Sequence, residues 1–307
     1  MEKSKVLVVG GAGFIGRRLV AASLAQGHPT FVLMRSEIGV DVDKVQTLLS
    51  FKAKGARLVE ASLDDHAGLV AAVRQVDVVV SALSGTYIRS QVKLVEAIKE
   101  AGNVKRFLPS EFGMDPSKME HALAPGRITF DDKMEVRRAI EAASIPHTYI
   151  SCNCFAAYFC PNLGQIGTLL PPKDKVRVYG DGNVKVIFVD EDDAATYIIK
   201  TLDDPRTLNK SIYLRPSENI LSQSDLIVKW ENLSGNVLEK IYIPADEFLA
   251  SMKDKDFGNQ FVMGHIYHIF YEGCRTNFDI GEDGAEATLL YPEVEYTRMD
   301  DYMKRYV

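Results

Sequence analysis

The sequence has few of the residues that build disulfide frameworks and metal centres. Only four cysteines occur among its 307 residues, and three of them, Cys152, Cys154 and Cys160, fall within nine positions. Spread-out cysteines are typical of disulfide-stapled secreted domains, so this clustering leads us to expect thiols and a cytoplasmic protein. The six histidines are scattered, with His265 and His268 three positions apart and no H-E-x-x-H pattern. We therefore expect no metal site.

Long apolar segments and an excess of positive charge are also missing. No hydrophobic run reaches the roughly 20 residues of a membrane helix, and MEKSKVLVVGGAG passes from a charged segment into a strand pattern without a signal-peptide core. Lys and Arg number 36 against 42 Asp and Glu, a formal net charge of −6. Nucleic acid and anionic lipid would require a basic surface, so we expect small molecules or other subunits as partners.

Short apolar segments alternate with helix-like segments through the first half of the chain. The strand-like segments read KVLVVG, TFVLM, ARLVE, VDVVVSA, VKRFLPS and PHTYIS. The helix-like segments between them cover 14–26, 43–54, 66–74, 91–101 and 129–144. Strands that are apolar almost throughout are covered on both faces. The pattern predicts an α/β fold with a doubly wound parallel sheet of the Rossmann type.

The alternation is lost after residue 152. The segment 154–165 resembles a helix, and the turn residues of YGDGNVK predict a hairpin. Helical patterns follow near 190–201, 222–233, 245–253, 259–271 and 298–306. We therefore predict a first domain, 1–152, and a smaller, mainly helical substrate lobe, 153–307, from which 180–201 can pack back on the first domain. Ligands in open α/β proteins bind in the crevice beyond the strand ends.

A glycine-rich segment, VLVVGGAGFIGRRLV, joins the first predicted strand to the first predicted helix. One glycine permits the tight turn, a second lets the backbone approach a pyrophosphate, and a third lets helix and strand touch. The helix N-terminus then faces the negative charge. Strand, turn and helix occur in the required order, so the segment predicts a dinucleotide site. The residues predicted to line it are Gly10, Gly11, Ala12, Gly13, Phe14, Ile15 and Gly16.

The second predicted strand ends in FVLMR, with Arg35 standing 22 residues after Gly13. An acidic residue at this strand end would bind the ribose 2′-hydroxyl of NAD, whereas arginine suits the 2′-phosphate of NADP. Arg35 therefore predicts NADP(H) as the cofactor. Lys44, at the start of the next helix, is a second candidate for that phosphate, although a solvated surface lysine is an equally good interpretation.

The segment TFDDKMEVRRAI carries a lysine on the inward face of a predicted helix, where Thr129, Lys133, Val136 and Ile140 align. A lysine among apolar neighbours loses hydration of its charged form, so its pKa falls and it becomes a usable base. The alternative is an amine that reaches solvent at the helix start. Short-chain dehydrogenases carry a tyrosine four residues before such a lysine, where this chain has Thr129. Proton removal is therefore favoured over plain carbonyl chemistry.

Segments along nearly the whole chain resemble the plant isoflavone reductase-like family of NADPH-dependent reductases. The branch of that family acting on pinoresinol and lariciresinol is the most similar, because of SEFGMDPSKMEHALAPGR. Further segments that carry the resemblance are VGGAGFIGRR, GHPTFVLMR, SFKAKGARLVEASLDDH, FDDKMEVRRAIEAASIPHTYIS, VDEDD, DDPRTLNKSIYLRP, NILSQ and LYPEVEYT.

The resemblance implies that Gly10 to Gly16, Arg35 and Lys44 hold the cofactor, and it implies roles for five further residues. It implies that Lys133 is the catalytic lysine and that Arg137, one turn later, supports the site, whereas the sequence alone allows a surface ion pair of Arg137 with a nearby aspartate. Asn153 and Phe155 are implied to line the nicotinamide, and an N-cap role is a further interpretation of Asn153. His265 is implied to face the substrate, although a core histidine is the simpler interpretation of its pattern.

The implied reaction is the reduction of a furofuran lignan by NADPH. A base removes the phenolic proton, the benzylic ether opens to a quinone methide, and hydride is added to the benzylic carbon. A homodimer is implied as well. The alternatives are a phenylcoumaran benzylic ether or isoflavone reductase, a non-catalytic NADP-binding regulator, and a sugar epimerase or carbonyl reductase.

Two features depart from the family pattern. Only the residues from Thr86 to Ser90 separate a strand from the next helix beside the expected crevice, which leaves the substrate preference open. Ala157 stands where the family usually has glycine, next to Tyr158, and should slightly narrow the substrate space.

Overall fold

A computed structural model describes residues 2–35, 41–274, 276 and 278–307. Its strands are β1 Val6–Val9, β2 Thr30–Met34, β3 Arg57–Glu60, β4 Val78–Ser81, β5 Arg106–Leu108, β6 Thr148–Ser151, β7 Cys154–Phe155, β8 Lys175–Tyr179, β9 Lys185–Val189, β10 Lys210–Tyr213, β11 Ile220–Ser222, β12 Glu239–Ile243 and β13 Gly284–Glu286. Within the described part of the chain, every helix is too short or too polar to cross a lipid bilayer.

The α-helices are α1 Gly16–Ala25, α2 Val42–Ala53, α3 His66–Val73, α4 Gln91–Ala101, α5 Ile128–Ala142, α6 Ala156–Phe159, α7 Glu191–Lys200, α8 Gln223–Ser234, α9 Ala245–Met252, α10 Phe257–Phe270, α11 Ala287–Leu290 and α12 Met299–Met303. Most of the longer α-helices match the predicted helical segments closely, whereas α6 is much shorter than predicted and α11 was not predicted. Single 3-10 turns connect several of them.

The central sheet is parallel, with the strand order β3-β2-β1-β4-β5. Along β1, Val6 and Val8 belong to the apolar cluster on one face, whereas Leu7 and Val9 belong to the cluster on the other. Helices cover both faces of the sheet, which is why its strands are apolar throughout. The predicted doubly wound α/β fold is confirmed.

Strands from the second half of the chain extend this sheet. A parallel bridge between Phe107 and His147 joins β5 to the start of β6, and β6 pairs in parallel with β10, which pairs with β13. Helix α7 packs against α1, with an ion pair of 3.0 Å between Arg18 and Asp192. The division of the chain at residue 152 stays a prediction.

The predicted hairpin around YGDGNVK is wrong. The turn exists, with positive φ at Gly180 and Gly182, but β8 pairs in parallel with β12, whereas β9 pairs with β7 and β11. The backbone carbonyl of Gly182 accepts a hydrogen bond of 2.9 Å from the amide of Ser224, at the start of α8. The turn is therefore held by a helix, and its two strands join different sheets.

The predicted helix over 154–165 is limited to one turn, α6. Leu163, Gly164 and Gly167 have positive φ, which an α-helix does not tolerate. The buried Asn162 holds the irregular segment by donating hydrogen bonds from its side chain to nearby carbonyl oxygens, including that of Thr168 at 2.7 Å. This loop forms one wall of a cavity described below.

Candidate active site

Two glycines of the loop after β1 lie too close to neighbouring backbone atoms to carry a side chain. Gly10 has φ of +82°, and a Cβ built there would lie 2.7 Å from the backbone oxygen of Ala82 at the end of β4. A Cβ on Gly16 would lie 2.0 Å from the carbonyl oxygen of Gly10. Gly10 therefore requires glycine for its positive φ and for its close approach to Ala82, and Gly16 requires it for its close approach to Gly10. The loop has the geometry that a bound pyrophosphate needs.

Helix α1 presents an open N-terminus at this loop. Its N-cap residue, Ile15, offers no side-chain acceptor, and its first turn carries no acidic residue. The amides of the first turn of a helix lack intrahelical partners and attract anions. The N–H of Gly13 donates to the carbonyl oxygen of Gly10 at 3.0 Å, which fixes the turn before the helix. This arrangement fits a phosphate group.

A cavity of about 390 Å³ extends from the glycine loop to the ends of β2 and β4. Arg35 and Lys44 both lie on its wall, and Arg35 is exposed. Lys44 also forms an ion pair of 2.6 Å with Asp41, the residue whose carboxylate caps α2. The structure thus brings together the glycine loop and the two cationic residues predicted for NADP(H). Tyr87, in the short segment after β4, lies on the same wall.

Lys133 lies inside the protein on α5, with 7% of its surface exposed. Its Nζ donates a hydrogen bond of 3.2 Å to the backbone oxygen of Glu111 and lies 5.9 Å from the ring centre of Phe130. Gly113 leaves the space beside the amine without a side chain, since a Cβ there would lie 3.7 Å from Nζ. The interpretation of Lys133 as a solvent-reaching lysine is wrong.

Arg137 is buried one turn after Lys133 and binds two carboxylates. Its Nε donates to Oε1 of Glu111 at 2.8 Å, and its Nη2 forms an ion pair of 3.0 Å with Asp115. Burial disfavours a charged Asp115, but Arg137 and a hydrogen bond from Tyr213 outweigh it, so the pKa of Asp115 lies below its ordinary value. The alternative of a surface ion pair for Arg137 is wrong.

The Glu111 segment connects this buried network to the nucleotide cavity. Ser110 donates a hydrogen bond from its hydroxyl to the carbonyl oxygen of Leu83, which lies on the cavity wall. The amide of Ser110 donates to Oε1 of Gln91, at the start of α4, at 2.7 Å. Lys133 itself lines neither this cavity nor the second one, but its carbonyl partner is the residue next to Ser110.

Aromatic side chains join the glycine loop to the segment that follows β6. The ring centre of Phe14 lies 6.3 Å from that of Phe155 and 5.1 Å from that of Tyr158. Asn153 has φ of +57° and donates a hydrogen bond from its side chain to the carbonyl oxygen of Leu214. The N-cap interpretation of Asn153 is wrong, because α6 begins after Phe155. Phe155 therefore lies near the glycine loop, whereas Asn153 fixes the backbone two residues before it.

A second cavity of about 520 Å³ begins at Tyr158 and is bounded by α10 and the loop that follows α6. Its wall is mostly apolar, and His265 lies on it. The Nδ1 of His265 lies 2.9 Å from the carbonyl oxygen of Phe261, so Nδ1 carries a proton, and a neutral ring has its lone pair on Nε2. The ring of His265 lies 5.4 Å from that of Phe130.

Phe130 lies near both predicted catalytic residues, with its ring centre 5.9 Å from Nζ of Lys133 and 5.4 Å from the ring centre of His265. A Cβ on Gly126 would lie 3.1 Å from Nδ1 of His265, so glycine allows the segment before α5 to pack against this ring. Ala157 donates its amide to Oε1 of the buried Glu191 at 2.7 Å. The second cavity suits an apolar, aromatic ligand.

Sequence reasoning missed Glu111 and Asp115. Both follow the end of β5, within SEFGMD, and a carboxylate beyond the end of a parallel strand is a recognisable signal. Their pairing with Arg137 could not be read from spacing, because 26 residues separate Glu111 from Arg137 along the chain.

Comparisons with known proteins agree with this geometry. The model of the NmrA-like family matches residues 2–303. An isoflavone reductase homolog of Lupinus albus is 65% identical over 100% of both chains, and a bifunctional pinoresinol-lariciresinol reductase of Linum perenne is 61% identical over 100% of both.

A solved structure of AtPrR2 with NADP+ and (+)pinoresinol is 62% identical over 100% of both chains, with a TM-score of 0.97. The resemblance predicted from the sequence is thereby confirmed. The chain belongs to the NmrA-like family, and within it to the isoflavone reductase-like reductases.

Proposed function

We propose that the protein is an NADPH-dependent oxidoreductase that opens the benzylic ether of furofuran lignans. It would convert pinoresinol to lariciresinol and, in a second round, lariciresinol to secoisolariciresinol. The observation that carries the proposal is the buried amine of Lys133, which donates a hydrogen bond to the carbonyl oxygen of Glu111. Position 129 holds threonine and not the tyrosine of short-chain dehydrogenases, so the chain lacks that acid at this position. The similarity to pinoresinol-lariciresinol reductases over the full length supports the substrate class.

NADP(H) fits the residues that the structure assembles. Gly10, Gly13 and Gly16 let the backbone of the loop and of helix α1 pack closely, the loop lines the nucleotide cavity, and Arg35 offers a guanidinium on the same wall for the 2′-phosphate. The cofactor supplies hydride. Phe14 and Phe155 lie between the nucleotide cavity and the apolar one, so we place the nicotinamide end beside them.

Lys133 acts as the base in the proposed reaction. Its neutral amine takes the proton of a substrate phenol, and the electrons released move through the ring toward the benzylic carbon. The bond between that carbon and the ether oxygen breaks, giving a neutral quinone methide and an alkoxide that takes up a proton. Hydride addition to the benzylic carbon restores the aromatic phenolate, which is then protonated. The net reaction consumes one NADPH and one proton.

His265 orients the phenol in this account. The hydrogen bond from Nδ1 to the carbonyl oxygen of Phe261 fixes the orientation of the ring. In the neutral tautomer, Nε2 is then the hydrogen-bond acceptor. The position of His265 on the wall of the apolar cavity, next to the same Phe130 ring that Lys133 approaches, supports a role toward the substrate. Positioning of this kind contributes to rate because the reacting atoms meet in a fixed geometry.

NADPH oxidation with a panel of substrates tests the proposal. We expect turnover with racemic pinoresinol, with products resolved on a chiral column, and then with lariciresinol. Faster turnover of phenylcoumarans or isoflavones would move the substrate to another branch of the family. Turnover of sugar nucleotides or simple ketones would contradict the proposal, and NADPH binding without any oxidation would indicate a regulator.

The apolar cavity and the formal charge of −6 agree with a small aromatic partner and give no footprint for nucleic acid. The homodimer, the cytoplasmic location and the boundary at residue 152 remain predictions. Size-exclusion chromatography with light scattering tests the first of them.

A further inference from the structure

Four potential metal ligands converge away from the nucleotide and substrate cavities. His121 precedes α5, His268 lies in the last turn of α10, and Glu272 and Cys274 follow that helix. The sequence predicted no metal site, because the histidines are scattered and no H-E-x-x-H pattern occurs. His268, Glu272 and Cys274 lie within seven positions, but His121 lies 151 residues before Glu272. The fold nevertheless places one ligand atom of each within 4.8 Å of the others.

Three of these atoms lie almost as far apart as three ligands of one tetrahedral metal ion. Nε2 of His121 lies 3.1 Å from Oε2 of Glu272 and 3.7 Å from Sγ of Cys274, and that sulfur lies 3.3 Å from the same oxygen. Zinc bond lengths and a tetrahedral angle require about 3.4 Å for nitrogen to oxygen and about 3.6 Å for both distances to sulfur. Shifts of about 0.3 Å would accommodate an ion.

His268 supports the site without binding the ion. Its Nε2 accepts a hydrogen bond of 2.9 Å from the amide of Leu123, so the ring proton is on Nδ1. Nδ1 donates to Oε2 of Glu272 at 2.6 Å, which is too short for two ligands of one tetrahedral ion. A histidine that fixes a ligating carboxylate is a usual partner of a metal site.

The surroundings allow an ion to enter. A cavity of about 270 Å³ is lined by His121, Glu272 and Cys274 together with Lys118 and Phe278. Cys274 is buried and His121 is exposed, so the site opens on the side of the histidine. A thiolate and a carboxylate together neutralise a divalent cation, and water can supply the fourth ligand.

We propose that His121, Glu272 and Cys274 bind a zinc ion, with His268 positioning Glu272. The mixed sulfur, nitrogen and oxygen set favours zinc over magnesium or calcium. The ion would join the segment before α5 to the end of α10. That segment also carries Gly126, which packs on His265, so zinc would stabilise one side of the apolar cavity. The proposal does not depend on the function proposed above.

Zinc titration of tag-free, chelator-treated protein against a chromophoric chelator tests the site. We expect one equivalent to bind with Kd of about 10 µM or tighter, with release of the Cys274 proton and weaker binding at acid pH. Cys274→Ser and His121→Ala should weaken binding about 100-fold, and His268→Gln about 10-fold. His66→Ala, which removes an exposed histidine paired with Glu100, is the matched control and should bind as wild type.

Cobalt and thermal melting supply independent measurements. Co²⁺ should produce a thiolate charge-transfer absorption in wild type that Cys274→Ser lacks. Excess zinc should raise the Tm of wild type and of His66→Ala, but not that of Cys274→Ser, because only ligands bound by the folded state stabilise it. The proposal is overturned if wild type binds no zinc, or if folded Cys274→Ser and His121→Ala, verified by circular dichroism, bind it with wild-type affinity.

Discussion

The backbone oxygen of Glu111 accepts a hydrogen bond of 3.2 Å from Nζ of Lys133. The carboxylate of the same Glu111 is held by Arg137, which also pairs with Asp115. We therefore propose that Arg137 positions Lys133 through Glu111. The network brings the end of β5 and helix α5 into one charged cluster inside the protein.

Arg137→Ala should lower the free energy of unfolding by about 3 to 5 kcal/mol, because it leaves two buried carboxylates without their cation. Urea denaturation at pH 7 measures the change. Arg138→Ala removes the neighbouring exposed arginine and should change stability by less than about 0.5 kcal/mol. Equal effects of the two substitutions would contradict the buried network.

Arg35→Ser should weaken NADPH binding by about 10- to 100-fold and leave NADH binding unchanged, because it removes a charged hydrogen bond to the 2′-phosphate. Lys44→Ala should have a smaller effect, since Lys44 is paired with Asp41. Fluorescence titration with both nucleotides measures the difference, with the exposed Arg74→Ser as the control. An equal loss of NADPH and NADH affinity would contradict the assignment.

His265→Phe keeps an aromatic ring against Phe130 and removes both nitrogens. We expect kcat/KM for pinoresinol to fall by about 10- to 100-fold, at the lower end of acid–base effects, with NADPH affinity unchanged. Steady-state kinetics provide the measurement, and His66→Ala is the control. Unchanged kinetics in His265→Phe would assign this histidine to packing alone.

Burial of Asp193 on α7 raises the pKa of its carboxyl to about 6, against the effect of the amide of Thr297, which donates to it at 2.6 Å. A raised pKa favours the folded state at low pH, so this contribution is complete below about pH 4 and is lost as the pH rises through about 6.

Asparagine does not titrate, so the free energy of unfolding of Asp193→Asn relative to that of wild type should increase as the pH rises from 4 to 7. The expected increase is on the order of 1 kcal/mol. Urea denaturation at both pH values measures the gain. Asp254→Asn, at an exposed aspartate, should show no such difference between the two pH values. A constant offset of Asp193→Asn across this range would contradict the assignment.

Local patterns predicted most of the fold. The helices α4 and α7 to α10 begin and end within two residues of the predicted limits, because their apolar periodicity and capping residues are both encoded locally. The pairing of β8 and β9 could not be read in this way, since it depends on β12, β7 and β11, which lie elsewhere in the chain.

The candidate site also combines features that local sequence predicts with features that depend on tertiary contacts. The tight turn at Gly10 and Gly16 was predictable because it uses one continuous segment, and Arg35 was predictable because it follows the next strand. Their contacts with the cofactor stay a prediction.

One helical face placed Lys133 on the inward side of α5, but it left a buried and a solvent-reaching amine both open. The contact of Lys133 with Glu111, 22 residues earlier, and the approach of His121 to Glu272, 151 residues later, are tertiary contacts that spacing does not predict.

Single-turnover reduction of pinoresinol by enzyme-bound NADPH tests the role of Lys133 most directly. The account predicts that Lys133→Ala binds NADPH within a few-fold of wild type but loses about 10²- to 10⁴-fold in rate, while Lys99→Ala, at an exposed lysine, reacts normally. It also predicts that wild type does not reduce pinoresinol whose phenols are methylated. Full-speed ether opening by Lys133→Ala, or turnover of the methylated substrate, would contradict the base-initiated reaction.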